Sequence, residues 1–158
     1  MNTLATADAA YIAGLFDGEG SIGFRRSHGT SKTHSKTSYL RLRITNTHHE
    51  VLLWVAAVVG VGKVFTRPPS GKQRKPYHEW LLGRENVLKL LHQIFPYLRI
   101  KRLQAEIAFR FEASVANKSY RARLSPEVVA LREGFRCEMT VANCGADASA
   151  YGPQGPSR

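Results

Sequence analysis

The sequence predicts an α+β fold whose elements follow the order αββαββα, with further helices closing the chain. Three observations predict it. Residues 7–17 carry apolar side chains on almost every face and stop at Gly18-Glu19-Gly20, which reads as a buried helix. Leu40, Leu42 and Ile44 alternate with Tyr39, Arg41 and Arg43, the period-2 signature of a half-buried strand. Glycine and proline clusters then divide the remaining chain into segments of strand or helix length.

In order, Thr6 or Asp8 can cap the first helix, and strands follow over residues 21–26 and 39–45. The polar loop 28–38 joins them. A second apolar helix over 50–59 is closed by Gly60 and Gly62, and residues 63–67 form a third strand. Pro68-Pro69-Ser70-Gly71 marks a turn, and the fourth strand covers 77–82. A helix over 85–95 is ended by Pro96. Ile100, Leu103, Ile107, Phe111 and Val115 recur at helical spacing, and Ser125-Pro126 opens a last helix to about residue 139. Residues 1–140 are expected to form one domain. Residues 141–158, rich in Ala, Gly, Pro and Ser, are expected to be a disordered tail.

The chain has 158 residues, enough for one domain with a real core, and 23 Lys and Arg against 12 acids, a formal charge of +11. Such an excess favours a polyanionic partner through counterion release. The longest apolar stretch, 51–61, is too short to span a bilayer, so no membrane partner is expected. No secretory leader is visible. Cys137 and Cys144 match no zinc spacing and read as reduced thiols of an intracellular protein, cytoplasmic or organellar. The cations are concentrated: residues 21–77 hold eleven Lys or Arg and one acid, Glu50. They fall on the predicted strands and their loops, as a nucleic-acid surface requires, although exposed strands also carry cations for solubility.

The most informative stretch is Tyr11-Ile12-Ala13-Gly14-Leu15-Phe16-Asp17-Gly18-Glu19-Gly20. Ala10, Gly14 and Gly18 lie four apart, so one helix face is nearly bare and a second helix backbone can approach it closely. Glu19 is expected to protrude beyond the last helical turn, at the root of the basic strands. An acid among cations, facing a polyanion, is costly unless it has a task, and binding a divalent metal is such a task.

Ile12 to Gly20, reading IAGLFDGEG, resembles the LAGLIDADG motif of homing endonucleases, and the element order from about residue 9 to 111 is similar to that family's fold. The resemblance implies a curved antiparallel sheet that binds double-stranded DNA, with Glu19 as the catalytic acid and Glu19 and Gly18 as metal ligands. It implies Mg²⁺ as cofactor, with Mn²⁺ or Ca²⁺ able to occupy the site. Asn46, at the end of the second strand, matches the position that orients the attacking water; a turn or capping residue is the alternative. Lys101, in Leu98-Arg99-Ile100-Lys101, matches the active-site lysine; a solvated lysine at a helix start is the alternative.

On this alignment, the DNA-binding set is Gly23, Arg25 and Ser27 on the first strand, and Thr37, Tyr39, Arg41 and Arg43 on the second. Lys63, Phe65 and Arg67 follow on the third strand, and His78 and Trp80 on the fourth, where Tyr77 and Glu79 compete for the outward face. Lys32, His34, Lys36, Lys72, Arg74 and Lys75 would reach phosphates from the loops. His48 and His49 read as an ordinary helix start.

One motif per chain implies a homodimer, its helices pairing through Ala10, Ala13, Gly14 and Asp17. The function implied is Mg-dependent, site-specific double-strand cleavage of a long pseudo-palindromic target, leaving short 3′ overhangs. An RNA-binding intron maturase or a non-catalytic DNA-binding protein on the same scaffold are the alternatives, and a basic ribosome-associated protein is a third.

Overall fold

The computed structural model describes residues 1–26, 38–69, 75–83, 85–115 and 125–144. Its elements are α1 (Thr6–Glu19), β1 (Gly20–Arg26), β2 (Ser38–Asn46), α2 (His49–Val59), β3 (Lys63–Arg67), β4 (Tyr77–Gly83), α3 (Glu85–Ile94), a 3-10 turn (Phe95–Tyr97), α4 (Arg102–Val115) and α5 (Pro126–Cys144). The strands form one antiparallel sheet in the order β1-β2-β4-β3. The α+β class and the αββαββα order are as the sequence predicts.

Helix α1 buries Ala9, Ile12, Ala13, Phe16 and Asp17, a stripe spaced three and four residues apart. Its first turn differs from expectation. The N-cap is Ala5, in extended conformation and without a side-chain cap bond, so Thr6 and Asp8 lie inside the helix. Asp8 contributes there as an acid in the first turn, where it favours the helix dipole. At the other end Glu19 is the last helical residue rather than one beyond the turn. A Cβ at Gly20 would fall 2.0 Å from the Phe16 ring, so the change from helix to strand passes where only glycine fits.

The helices cover one sheet face. Ile22, Leu40, Leu42, Ile44, Trp80 and Leu82 pack there against Ile12, Phe16, Leu52, Val55, Leu91 and Ile94. Burial of each such side chain contributes on the order of 1.5–3 kcal/mol. Trp80, expected on the DNA-binding face, is fully buried in this core, with its indole N–H donating to the Val61 carbonyl at 3.3 Å. Gly62 (φ +100°) makes room for it, because a Cβ at that position would sit 2.3 Å from Trp80 Nε1.

The boundary expected at residue 140 falls inside α5. Gln104 Nε2 donates to the Ala142 carbonyl at 2.8 Å, and Asn143 Nδ2 donates to the Ile22 carbonyl on β1 at 2.9 Å. The last turn of α5 is therefore joined to the fold, and the residues assigned to the tail beyond 144 lie outside the described ones. Among the described residues no helix is long and apolar enough to cross a membrane.

Candidate nucleic-acid interface and active site

Strand register decides which side chains share the uncovered sheet face. Ser21 pairs with Arg43, Gly23 with Arg41 and Arg25 with Tyr39. Arg43 pairs with Leu81 and Thr45 with Glu79. Lys63 pairs with Leu81, Phe65 with Glu79 and Arg67 with Tyr77. Directly paired residues project to the same side, so Gly23, Arg25, Tyr39, Arg41, Arg43, Lys63, Phe65 and Arg67 share one face with Tyr77, Glu79 and Leu81. His78 and Trp80, chosen for the fourth strand, have the opposite parity and lie on the helix-covered side. His78 stacks there on His49, ring centroids 4.3 Å apart, and shares a hydrogen bond with Thr66 Oγ1. Lys75 is exposed just before β4; Ser27, Lys32, His34, Lys36, Thr37, Lys72 and Arg74 lie outside the described residues.

Among the described residues, Glu79 is the acid on this cationic face, and it is 4% exposed. Arg43 Nη1 donates to Oε1 at 3.1 Å and Arg67 Nε to Oε2 at 2.8 Å. Burial pushes its carboxyl up, but the hydrogen bonds and charges of Arg67 and Arg43 outweigh burial and hold it below the usual carboxylate range.

At the C-terminal end of α1, the Asp17 carboxylate accepts three successive backbone N–H groups: Arg99 at 2.7 Å, Ile100 at 3.1 Å and Lys101 at 2.9 Å. Burial raises its carboxyl and these donors, with the Lys101 charge, more than compensate, leaving it below the usual range. The Lys101 ammonium donates to the Asp17 carbonyl and lies 5.9 Å from the Phe16 ring centroid. Lys101 is thus carried to the helix end that bears Glu19, and Glu19 and Gly18 are both exposed there. Asn46 lies two residues past Ile44, the partner of Gly20, so register puts it at the same end of the sheet. Its Oδ1 accepts from His48 N–H at 2.8 Å, a turn that leads into α2.

The outer face of α1 is bare. Ala10 and Gly14 are exposed, and a Cβ at Gly14 would meet nothing within 4 Å. Tyr11 and Trp54 border this face, edge to face at 5.2 Å. Two positions expected at a dimer interface are excluded from it by their own chain: Ala13 is fully buried in the core, and the Asp17 carboxylate is consumed by residues 99–101.

The family model described as a LAGLIDADG-like domain matches residues 6–94, more than half of the chain. The chain belongs to the LAGLIDADG family. Solved homing endonuclease and meganuclease structures agree in fold. The homing endonuclease I-CvuI, in complex with its target and 2 mM Ca, superposes with a TM-score of 0.71 at 20% identity, covering 89% of this chain and 87% of that one. The homing endonuclease I-TnaI gives 0.64 at 17% identity, covering 90% and 93%. The meganuclease I-SmaMI, bound to uncleavable DNA, gives 0.61 at 16% identity and covers 81% of this chain, which spans 43% of that one. No curated protein matched the chain.

For a member of this family, the donor chemistry suits a hard cation. Glu19 offers a carboxylate and Gly18 a carbonyl, both oxygen donors, and among the described residues no group of three or more His, Cys, Asp or Glu could hold a metal. Of the alternatives open for the outward face of the fourth strand, register favours Tyr77 and Glu79 over His78 and Trp80. Two site features escaped the sequence. Asn143, which lines a groove with Arg25, Arg41 and Arg43, was assigned to the tail. Asp17 gave no sign that its partners lie more than eighty residues away.

Proposed function

We propose that the chain is a metal-dependent, site-specific DNA endonuclease acting as a homodimer. The observation that carries this reading is the placement of an exposed Glu19 where α1 passes into β1, the first strand of the open cationic face, with Lys101 held beside it through Asp17. The DNA present in the solved I-CvuI and I-SmaMI structures supports a duplex as ligand.

In this reading two α1 helices pack through the Ala10 and Gly14 face and bring two Glu19 carboxylates together on a twofold axis. Each sheet then lies along one half-site in the major groove, with Arg25, Tyr39, Arg41, Arg43, Lys63, Phe65 and Arg67 facing the base edges. Mg²⁺ held by Glu19 and the Gly18 carbonyl, with Mn²⁺ or Ca²⁺ as alternative occupants, would supply positive charge and a more acidic bound water. Lys101 offsets charge on the phosphate, and Asn46 orients the attacking water.

The test is cleavage-site selection from a random duplex library with Mg²⁺. The wild-type chain should recover a long, near-palindromic site cut on both strands, and Glu19→Gln should bind that site without cutting it. Normal cutting by Glu19→Gln overturns the role of the acid. Binding without cleavage by the wild type overturns the nuclease reading.

A further inference from the structure

A row of hydrogen bonds crosses all four strands on the open face. Arg43 Nε on β2 donates to Ser21 Oγ on β1 at 3.3 Å, and Arg43 Nη1 donates to Glu79 Oε1 on β4 at 3.1 Å. Arg67 Nε on β3 donates to Glu79 Oε2 at 2.8 Å. Glu79 sits between two strands that each contribute one arginine, diagonal to it in register. The two guanidinium side chains are 47% and 45% exposed, whereas the carboxylate beneath them is 6% exposed.

A carboxylate on a face meant for a polyanion repels it unless its charge is neutralised and covered. Both conditions hold here, so Glu79 subtracts little from attraction at the surface while controlling what the arginines present. The two are held differently. Arg43 is held at two points, Nε on Ser21 and Nη1 on Glu79, which leaves Nη2 as its one terminal nitrogen without a bond to either residue. Arg67 spends only Nε on Glu79, and its guanidinium carbon lies 5.6 Å from the Phe65 ring centroid. The two terminal nitrogens carry no part of that bond and remain as a planar fork. That fork is the donor pattern that matches O6 and N7 of guanine.

We infer that Glu79 is a positioning residue that presents Arg67 as the reader of one guanine in each half-site, with Arg43 beside it as a less selective single donor. The inference rests on the DNA-binding reading of this face. It distinguishes cations that the composition treated alike: Arg67 specifies a base, Arg43 discriminates less, and Glu79 sets the difference.

The experiment is selection of bound duplexes from a random library by the full-length chain in a Ca²⁺ buffer, followed by titration of the enriched duplex and its single-base variants. Wild type should prefer guanine at one position per half-site by roughly ten- to a hundredfold, the range of a bidentate arginine contact. Glu79→Gln should lower that preference about fivefold or more at that position alone. It should also steepen the dependence of log affinity on log salt by about one phosphate contact, because a released guanidinium can then pair with the backbone. Arg67→Lys keeps the charge and loses the fork, so it should erase the same preference; it tests the assignment even if Glu79→Gln fails to fold. An unchanged preference in either variant, or a uniform loss across all sequences, overturns the inference and leaves the DNA-binding reading standing. A wild-type chain that enriches no sequence overturns both.

Discussion

Asp17 and Lys101, 84 positions apart in the chain, are bonded in both directions: the Asp17 carboxylate accepts the Lys101 N–H at 2.9 Å, and the Lys101 ammonium donates to the Asp17 carbonyl. The first contact anchors the segment before α4 to the end of α1. The second satisfies a carbonyl in the last turn of α1, where intrahelical partners run out. One acid of the motif is thereby structural, and it sets the position of a lysine beside the other.

Asp17→Asn should separate these roles. An amide can replace one oxygen acceptor but faces the remaining N–H groups with a donor, so the expected loss of stability is about 1–3 kcal/mol. Urea unfolding measures it, and cleavage should fall with it because Lys101 loses its anchor. Unchanged stability would show that the three N–H bonds contribute nothing.

Acid should weaken the fold through two carboxylates. Asp17 and Glu79 both lie below the usual range, so their stabilisation is complete above the unfolded value near pH 4 and is lost as pH falls through the folded one. Thermal midpoints should decline below about pH 4. The decline should flatten in the Asp17→Asn, Glu79→Gln double variant. An equal slope in that variant would assign acid sensitivity to other groups.

Lys101→Met should leave half-site binding near wild type and lower the cleavage rate by roughly 10²–10³-fold, the cost of removing one donor that stabilises charge at the reacting phosphate. Single-turnover cleavage beside a binding titration separates the two effects. A matching loss in binding would make Lys101 a phosphate contact rather than a catalytic group.

The bare face of α1 gives a paired prediction. A Cβ at Gly14 meets nothing within 4 Å, so Gly14→Leu should fold normally yet fall to a single-chain mass in light scattering, and lose double-strand cutting. Ala13→Leu enters a filled core and should destabilise the chain by about 1–3 kcal/mol. A Gly14→Leu chain that stays dimeric would remove this face from the interface.

Two further glycines should respond in opposite directions. Gly62→Ala forces a side chain onto φ +100° and into the Trp80 indole, and should cost about 1–3 kcal/mol. Gly134 lies inside α5 with nothing within 4 Å of an added Cβ, so Gly134→Ala should stabilise by about 0.5–1 kcal/mol. Both are read from denaturant midpoints.

Local rules carried the sequence reading far. The third strand, 63–67, has the bounds predicted, and Gly60 closes α2 with φ +75° as a left-handed cap. IAGLFDGEG was sufficient to recognise the family and to locate Glu19 at the root of the sheet. These features depend on residues within a turn or a strand of one another, where period, capping and glycine geometry act. Tertiary structure decided the rest. In Tyr77-His78-Glu79-Trp80-Leu81-Leu82 both alternations carry polar and apolar residues, so period 2 defined two faces without ranking them. Pairing with β2 and β3 turned Trp80 inward over Gly62 and set Glu79 beneath Arg43 and Arg67. Asp17 likewise read as an interface acid until residues 99–101 supplied three donors. A buried carboxylate is stable only with partners, and those partners lie on other elements, where no local pattern in the sequence points to them.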